Sequence, residues 1–275
     1  MNRFGLFDFV LEGVTPDQKM AHAARLGYNA VEAMGRTIEP DPAAYLAACE
    51  RRGVTISCVT GVWLGDGISP DAAKRAAQVA VHRRYLDFAA RLGAPRYIFV
   101  DHLPTVDTPP ELAERLMRET LNQLADHAAE RGVTIFIEAI VRKFKPVFAT
   151  VAETAAFVRE LNHPAVRLMV DSYHMAANGE DLAADTAAAW DVVGHVHVSD
   201  YQAPPAEPER PYPGDGAVDF ESYLRPIVAA GYDGPIIFEG STVGERDACL
   251  VRSREYIAGV LQKLQAPAAR KGERV

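Results

Sequence analysis

Eight short β-rich apolar runs alternate with alanine-rich stretches at helical spacing, and this alternation constrains the fold more than any other feature of the chain. The expected strands are Arg3 to Phe9, Tyr28 to Ala33, Thr55 to Thr60, Tyr97 to Asp101, Thr134 to Ala139, Arg167 to Asp171, His195 to Ser199 and Ile236 to Glu239. Helices are expected between them at 16–26, 41–52, 70–92, 110–131, 151–161, 181–190 and 219–230, with a last one at 245–264. Thr15-Pro16-Asp17 and Ser69-Pro70-Asp71 read as a cap followed by a first-turn proline, and Gly27, Gly53, Gly93 and Gly132 read as C-terminal stops. Eight strand–helix units close naturally into an α/β (β/α)8 barrel, which typically needs about 250 residues; the chain has 275. An open doubly wound sheet is the runner-up, but GLFDFVLEGV after the first strand lacks its glycine-rich phosphate turn. The expected organisation is one barrel domain over 1–265, with a proline-rich rim loop at 203–214 and a frayed tail over 266–275.

Composition narrows the class of function. With 48% hydrophobic and 24% charged residues the chain can build a full core, and its net charge of -8 argues against nucleic acid as the main partner. Cys49, Cys58 and Cys249 are scattered and read as reduced packing residues. The N-terminal MNRFGLFDFV does not read as a signal peptide, and no apolar run approaches a membrane span. A soluble, cytoplasmic protein is expected.

The strand ends carry the chemistry. TIFIEAI ends on Glu138, LMVDSYH on Asp171, GHVHVSD carries His197 and PIIFEG ends on Glu239. These lie on four successive strands, so in a barrel they sit side by side on the carboxyl-terminal rim, where barrel enzymes place their sites. Singly, each has a plain explanation: Glu138 or Glu239 as a loop cap, Asp171 as a helix cap, His197 as a bonded core histidine. Together, three carboxylates over an apolar barrel repel one another unless a cation neutralises them. Such a donor set suits Mn²⁺ or Mg²⁺, with Co²⁺ or Zn²⁺ as alternatives. His195 and His197 share a strand face; His197 lies nearer the exit and is assigned to the metal, His195 to the interior, with the reverse assignment left open. His174, three residues beyond Asp171, is placed above the metal as a donor to a substrate oxygen, or else is a rim histidine bonded to a backbone carbonyl. Glu32, Trp63 and His102 end or follow strands two, three and four and are assigned to the pocket, Trp63 against a sugar ring or in the core, His102 as a substrate contact or a structural residue.

These residues resemble the xylose isomerase-like sugar phosphate isomerase/epimerase family, metal-dependent (β/α)8 barrels that include ketose 3-epimerases, hydroxypyruvate isomerases and inosose dehydratases. The order Glu138, Asp171, His197, Glu239 is similar to that family's metal ligands. DSYH resembles the DTFH stretch of the ketose epimerases and GHVHVSD their GHxHxxE run. Arg210, in RPYPGDG, matches the arginine of an R-x-x-P-G motif that holds a substrate hydroxyl. The acidic residue that ketose epimerases carry after their Asn-Arg is absent from EAIVRKFKP, which keeps Arg142 and adds Lys143 and Lys145, a basic run suited to a carboxylate or phosphate, or to solvent.

The resemblance implies a divalent-metal-dependent sugar isomerase or epimerase in which Glu138 and Glu239 exchange protons with a carbon beside a carbonyl, through an enediolate. A dehydratase of a keto-inositol, 3-keto sugar or dehydroshikimate is the alternative on the same scaffold. Endonuclease IV relatives share the fold but use many more histidines than the eight here. The implied partners are a small sugar or sugar-derived keto substrate and a second copy of the chain, as dimer or tetramer, with no nucleic acid and no membrane.

Overall fold

Caps and stops decide where each helix hands the chain to a strand. Thr15 accepts the Gln18 N–H in a reciprocal capping box with Pro16 in the first turn, Asp41 caps the helix Pro42–Arg52, and Thr150 and Glu153 repeat the capping box ahead of Val151–Leu161. Gly27, Gly53, Gly93 and Gly132 all take positive φ just past helix ends. The computed structural model describes residues 4–63, 65–103 and 108–266.

Between these helices run β1 Phe4–Phe7, β2 Ala30–Met34, β3 Thr55–Thr60, β4 Arg96–Phe99, β5 Thr134–Glu138, β6 Val166–Asp171, β7 Val193–Val198 and β8 Ile236–Phe238. All pair in parallel in chain order, and β1 pairs with both β2 and β8, so the sheet closes into the expected barrel. β3 matches its expected range, and the other strands differ from theirs by at most two residues at either end.

The period-two pleat sorts the side chains. Outward residues such as Val31, Ile137, Val170, Val198 and Phe238 join the large core between barrel and helices. Inward residues Cys58, Ile98, Phe136 and Met169 form a separate cluster inside the barrel. The same parity turns Glu32, Glu138, Asp171 and His197 inward; Glu138 and Asp171 stand two residues beyond Phe136 and Met169, while Glu32 pairs in register with Cys58. Gly5 is small for a reason: a Cβ there would lie 2.4 Å from the Ile237 side chain, so the interior has no room for one.

Three differences from the sequence reading have local causes. Ser69-Pro70-Asp71 does not place its proline in the first turn: Asp71 accepts the Ala73 and Lys74 N–H groups, so the helix begins at Ala72. Two short helices, Gly35–Ile38 and Ser172–Asn178, were not expected; of four and seven residues, each directly follows a strand and is too short to show helical periodicity. The segment 203–214 is irregular, as expected, but it is tied down by a parallel bridge between Pro211 and Ser241. Of the expected tail, 267–275 lies outside the described residues. Cys49, Cys58 and Cys249 are free and buried. Among the described residues no helix is long and apolar enough to cross a membrane.

Candidate active site

Neighbouring strands bring four side chains together at the mouth. β6 and β7 pair Asp171 with His197, β5 pairs Glu138 with Met169, and Glu239 directly follows β8. One ligand atom from each of Glu138, Asp171, His197 and Glu239 lies within 4.8 Å of the others. Three carboxylate oxygens and one imidazole nitrogen at this separation fit a hard divalent cation.

Asp171 does two jobs at once. As N-cap of Ser172–Asn178 it accepts the Tyr173 N–H on Oδ1 at 2.8 Å, which leaves Oδ2 for the site. Arg210 Nη2 bonds that Oδ2 and also Glu239 Oε2 at 3.0 Å, while Nη1 reaches Glu239 Oε1 at 3.2 Å. The guanidinium therefore neutralises two of the three carboxylates, and its Cζ lies 4.9 Å above the Tyr173 ring. Burial opposes ionisation of Asp171, but Arg210, aided by His197 and His174, holds its carboxyl well below the ordinary range.

The turn after β6 also aims His174. Its Nδ1 accepts the Val141 N–H at 3.1 Å, so in the neutral ring Nε2 carries the proton. That nitrogen lies 3.4 Å from Glu138 Oε1 and faces the cavity. His197 is turned the other way. Its Nε2 donates to Glu32 Oε2 at 3.0 Å, while Nδ1 faces Glu239 Oε2 at 3.2 Å and Asp171 Oδ2 at 3.6 Å. Burial disfavours the charged ring, but Glu32, Asp171 and Glu239 outweigh it and raise its pKa well above the ordinary value.

These groups form the floor of a cavity of about 310 Å³ whose wall is aromatic: Phe7, Phe9, Trp63, Phe144 and Tyr173, with Met34. Trp63 and Phe144 meet edge to face at 6.2 Å, both partly exposed at the rim. Polar floor and apolar wall suit a small polyhydroxylated ligand with a hydrophobic ring face.

Of the ten residues singled out from sequence, the structure brings eight to this cavity or its floor: Glu32, Trp63, Glu138, Asp171, His174, His197, Arg210 and Glu239. Arg142 is not brought there. It turns out to solvent and pairs with Glu153 at 2.9 Å, because the 3-10 turn Arg142–Phe144 points Phe144 inward instead. Lys143 likewise pairs with Glu209. His102 is fully buried below the mouth, does not line the cavity, and finds no partner for either ring nitrogen among the described residues; burial lowers its pKa to about 4, which keeps it neutral. Glu32 lies at the cavity floor, but its oxygens are already taken: Oε1 by Thr60 Oγ1 at 2.7 Å, Oε2 by His195 and His197. Phe7, Phe9 and Tyr173 escaped the sequence reading, since an aromatic at a strand end reads equally well as core.

Asp200 also escaped it. Its carboxylate accepts the N–H groups of Tyr201, Gly214, Gly216 and Val218 at 2.8–2.9 Å, binding both ends of the segment that delivers Arg210. A Cβ at Gly216 would lie 2.5 Å from Asp200 Oδ1. Replacing Asp200 with Ala strands four N–H groups. The expected cost is about 2–4 kcal/mol in urea unfolding, with a raised KM because Arg210 loses its mooring.

Acid should weaken this site in a predictable order. Burial opposes ionisation of Glu32, but the imidazoles of His197 and His195 hold its carboxyl far below the ordinary range. A depressed carboxylate contributes stability above its unfolded pKa and loses it as pH falls. Wild type should therefore exceed Glu32→Gln in urea midpoint at pH 6, and the gap should narrow steadily toward pH 3.

A family model described as xylose isomerase-like TIM barrel matches residues 20–259. An L-ribulose 3-epimerase of Methylomonas sp. (strain DH-1) is 36% identical over 119 residues, which cover 43% of this chain and 39% of that protein. The 3-dehydro-D-guloside 4-epimerase of Escherichia coli K12 is 24% identical over 243 residues, 84% of this chain and 89% of that protein. The crystal structure of a 3-keto-D-glucoside 4-epimerase from E. coli superimposes with a TM-score of 0.83 at 20% identity, covering 94% of this chain and all of that one, and so shares the fold. Further relatives include a putative hydroxypyruvate isomerase and an inosose dehydratase. The family match spans most of the barrel and includes all four converging strand ends, and the chain belongs to the xylose isomerase-like TIM barrel family.

Proposed function

We propose that the protein is a divalent-metal-dependent sugar epimerase or isomerase that moves a proton at a carbon beside a carbonyl. The convergence of Glu138, Asp171, His197 and Glu239 within 4.8 Å at the floor of an aromatic cavity carries this reading. Glu138, Asp171, His197 and Glu239 would hold a Mn²⁺ or Mg²⁺ ion, which would supply Lewis-acid stabilisation of the charge that develops on the substrate's oxygen.

The chain's own groups supply the rest. Glu138 and Glu239 are the outer members of the four-strand fan, so a sugar lying over its centre has one carboxylate on each side. Glu138 takes the proton from carbon, the C–H electron pair moves toward the carbonyl oxygen, and the protonated Glu239 returns a proton to the opposite face. His174 Nε2–H is aimed at an oxygen of the substrate, and Arg210 donates to a hydroxyl beside it. The aromatic rim excludes water and takes the sugar's carbon face.

The test is incubation of the Mn²⁺-loaded protein with a panel of ketoses and 3-keto sugars in D₂O, read by mass spectrometry and NMR. The expected product is an isomer carrying solvent deuterium at one carbon. Loss of water instead would move the assignment to a dehydratase, as in the inosose dehydratase relative, and neither exchange nor dehydration would overturn the proposal.

A further inference from the structure

Glu32 is an inward carboxylate that belongs neither to the proton transfer nor to the four-residue group at the mouth. Glu32 is fully buried, and β2 and β7 are not neighbours, so its bonds to His195 and His197 cross the barrel interior. The register between β2 and β3 shifts between Val31 and Glu32, the kind of bulge that re-aims a side chain next to a site.

We propose that Glu32 is a positioning residue for the cation: it fixes the orientation and tautomer of His197. This rests on the metal reading given under Proposed function and goes beyond it. A carboxylate can only accept, so each imidazole must present an Nε2–H to Oε2. Without a cation Nδ1 also gives an N–H to Glu239 Oε2 at 3.2 Å; a cation would displace that proton, and with the remaining one held on Nε2 by Glu32 the Nδ1 lone pair would point to where Asp171 Oδ2 and Glu239 Oε2 converge. The opposite tautomer would aim an N–H at the cation. Thr60 holds Oε1 at 2.7 Å and His195 holds Oε2 from its far side at 3.0 Å, so the carboxylate cannot rotate away from His197. Carboxylates behind metal-bound histidines act in this way, and removing one typically weakens metal affinity by about 10–100-fold. Glu32, His195 and His197 also lie close enough together to form a ligand group of their own, but both imidazoles spend an N–H on the carboxylate, which leaves that group no inward lone pair on Nε2.

The experiment is a Mn²⁺ titration of chelator-stripped protein, followed by calorimetry and by the electron paramagnetic resonance spectrum of bound Mn²⁺. Urea unfolding of the same samples checks the fold. Wild type should bind one ion, and Glu32→Gln should bind one ion about 10–100-fold more weakly with an altered spectrum. Equal affinity in the two proteins overturns the inference while leaving the metal reading intact. Two ions in wild type would make Glu32 a ligand and also overturn it. No binding by wild type defeats the metal reading itself. A measurement that needs no variant runs alongside: in the Mg²⁺-loaded protein, long-range ¹H–¹⁵N spectra should show His197 protonated at Nε2 and not at Nδ1, and the reverse pattern refutes the proposal.

Discussion

Glu138→Gln is expected to lower kcat by about 10²–10⁴-fold and to abolish incorporation of solvent deuterium, the range for loss of a positioned general base. The amide keeps the shape of the side chain and one carbonyl oxygen for a cation, but it cannot take a proton from carbon. His174 lies close enough to substitute, with Nε2 at 3.4 Å from Glu138 Oε1, yet its Nδ1 already accepts the Val141 N–H, so Nε2 holds a proton and has no free lone pair to take another. The assay is run at saturating Mn²⁺ with metal content measured on the same sample, which separates a lost base from a lost ligand. Deuterium uptake near the wild-type rate in a fully loaded Glu138→Gln protein would remove Glu138 from the role of base.

Arg210→Met is expected to lower the stability of the metal-free protein and to raise its affinity for Mn²⁺. In the metal-free protein the guanidinium bridges Asp171 and Glu239, and Met leaves those two carboxylates facing each other with only His197 between them. Removing one partner of a largely buried charge group costs several kcal/mol; with Arg210 one-fifth exposed, about 2–4 kcal/mol is expected. The same change frees Asp171 Oδ2 and Glu239 Oε2 for a cation, so Mn²⁺ should bind more tightly than in wild type. At Mn²⁺ concentrations 100 times its Kd, binding adds about 2.7 kcal/mol to the variant, and because wild type binds less tightly and gains less, the deficit against wild type narrows. Thermal unfolding with and without Mn²⁺ reads both effects. A variant as stable as wild type without metal, or one that binds Mn²⁺ no better, contradicts the charge arrangement described here. Turnover of the Mn²⁺-loaded variant should still fall, because the proposed donor to a substrate hydroxyl is gone.

The barrel was legible because its signals are local and repeated: an alanine-rich stretch, a glycine and an apolar run recur until the count fixes the architecture. The site was legible for a related reason. A strand that buries Leu168, Met169 and Val170 and then ends on Asp171 departs from its own pattern, and Glu138 and Glu239 do the same on β5 and next to β8. What escaped depends on contacts across the barrel or around the rim. Glu32 ends its strand like the others, and nothing nearby in sequence shows that its oxygens are consumed by Thr60, His195 and His197. Asp200 follows β7 as an ordinary strand-end residue, and its four N–H partners lie as far as Val218. Arg142 misled in the opposite sense: a basic residue just past a strand that ends on a candidate site carboxylate reads as a substrate contact, but the turn that carries it spends its inward direction on Phe144.

The account stands on one cation shared by four strand ends. Diffraction from crystals grown with Mn²⁺, collected at the manganese absorption edge, locates that ion directly. A single anomalous peak bounded by Glu138, Asp171, His197 Nδ1 and Glu239 is the predicted result. A map with no peak among those four side chains, or with the manganese held by other residues, would contradict it.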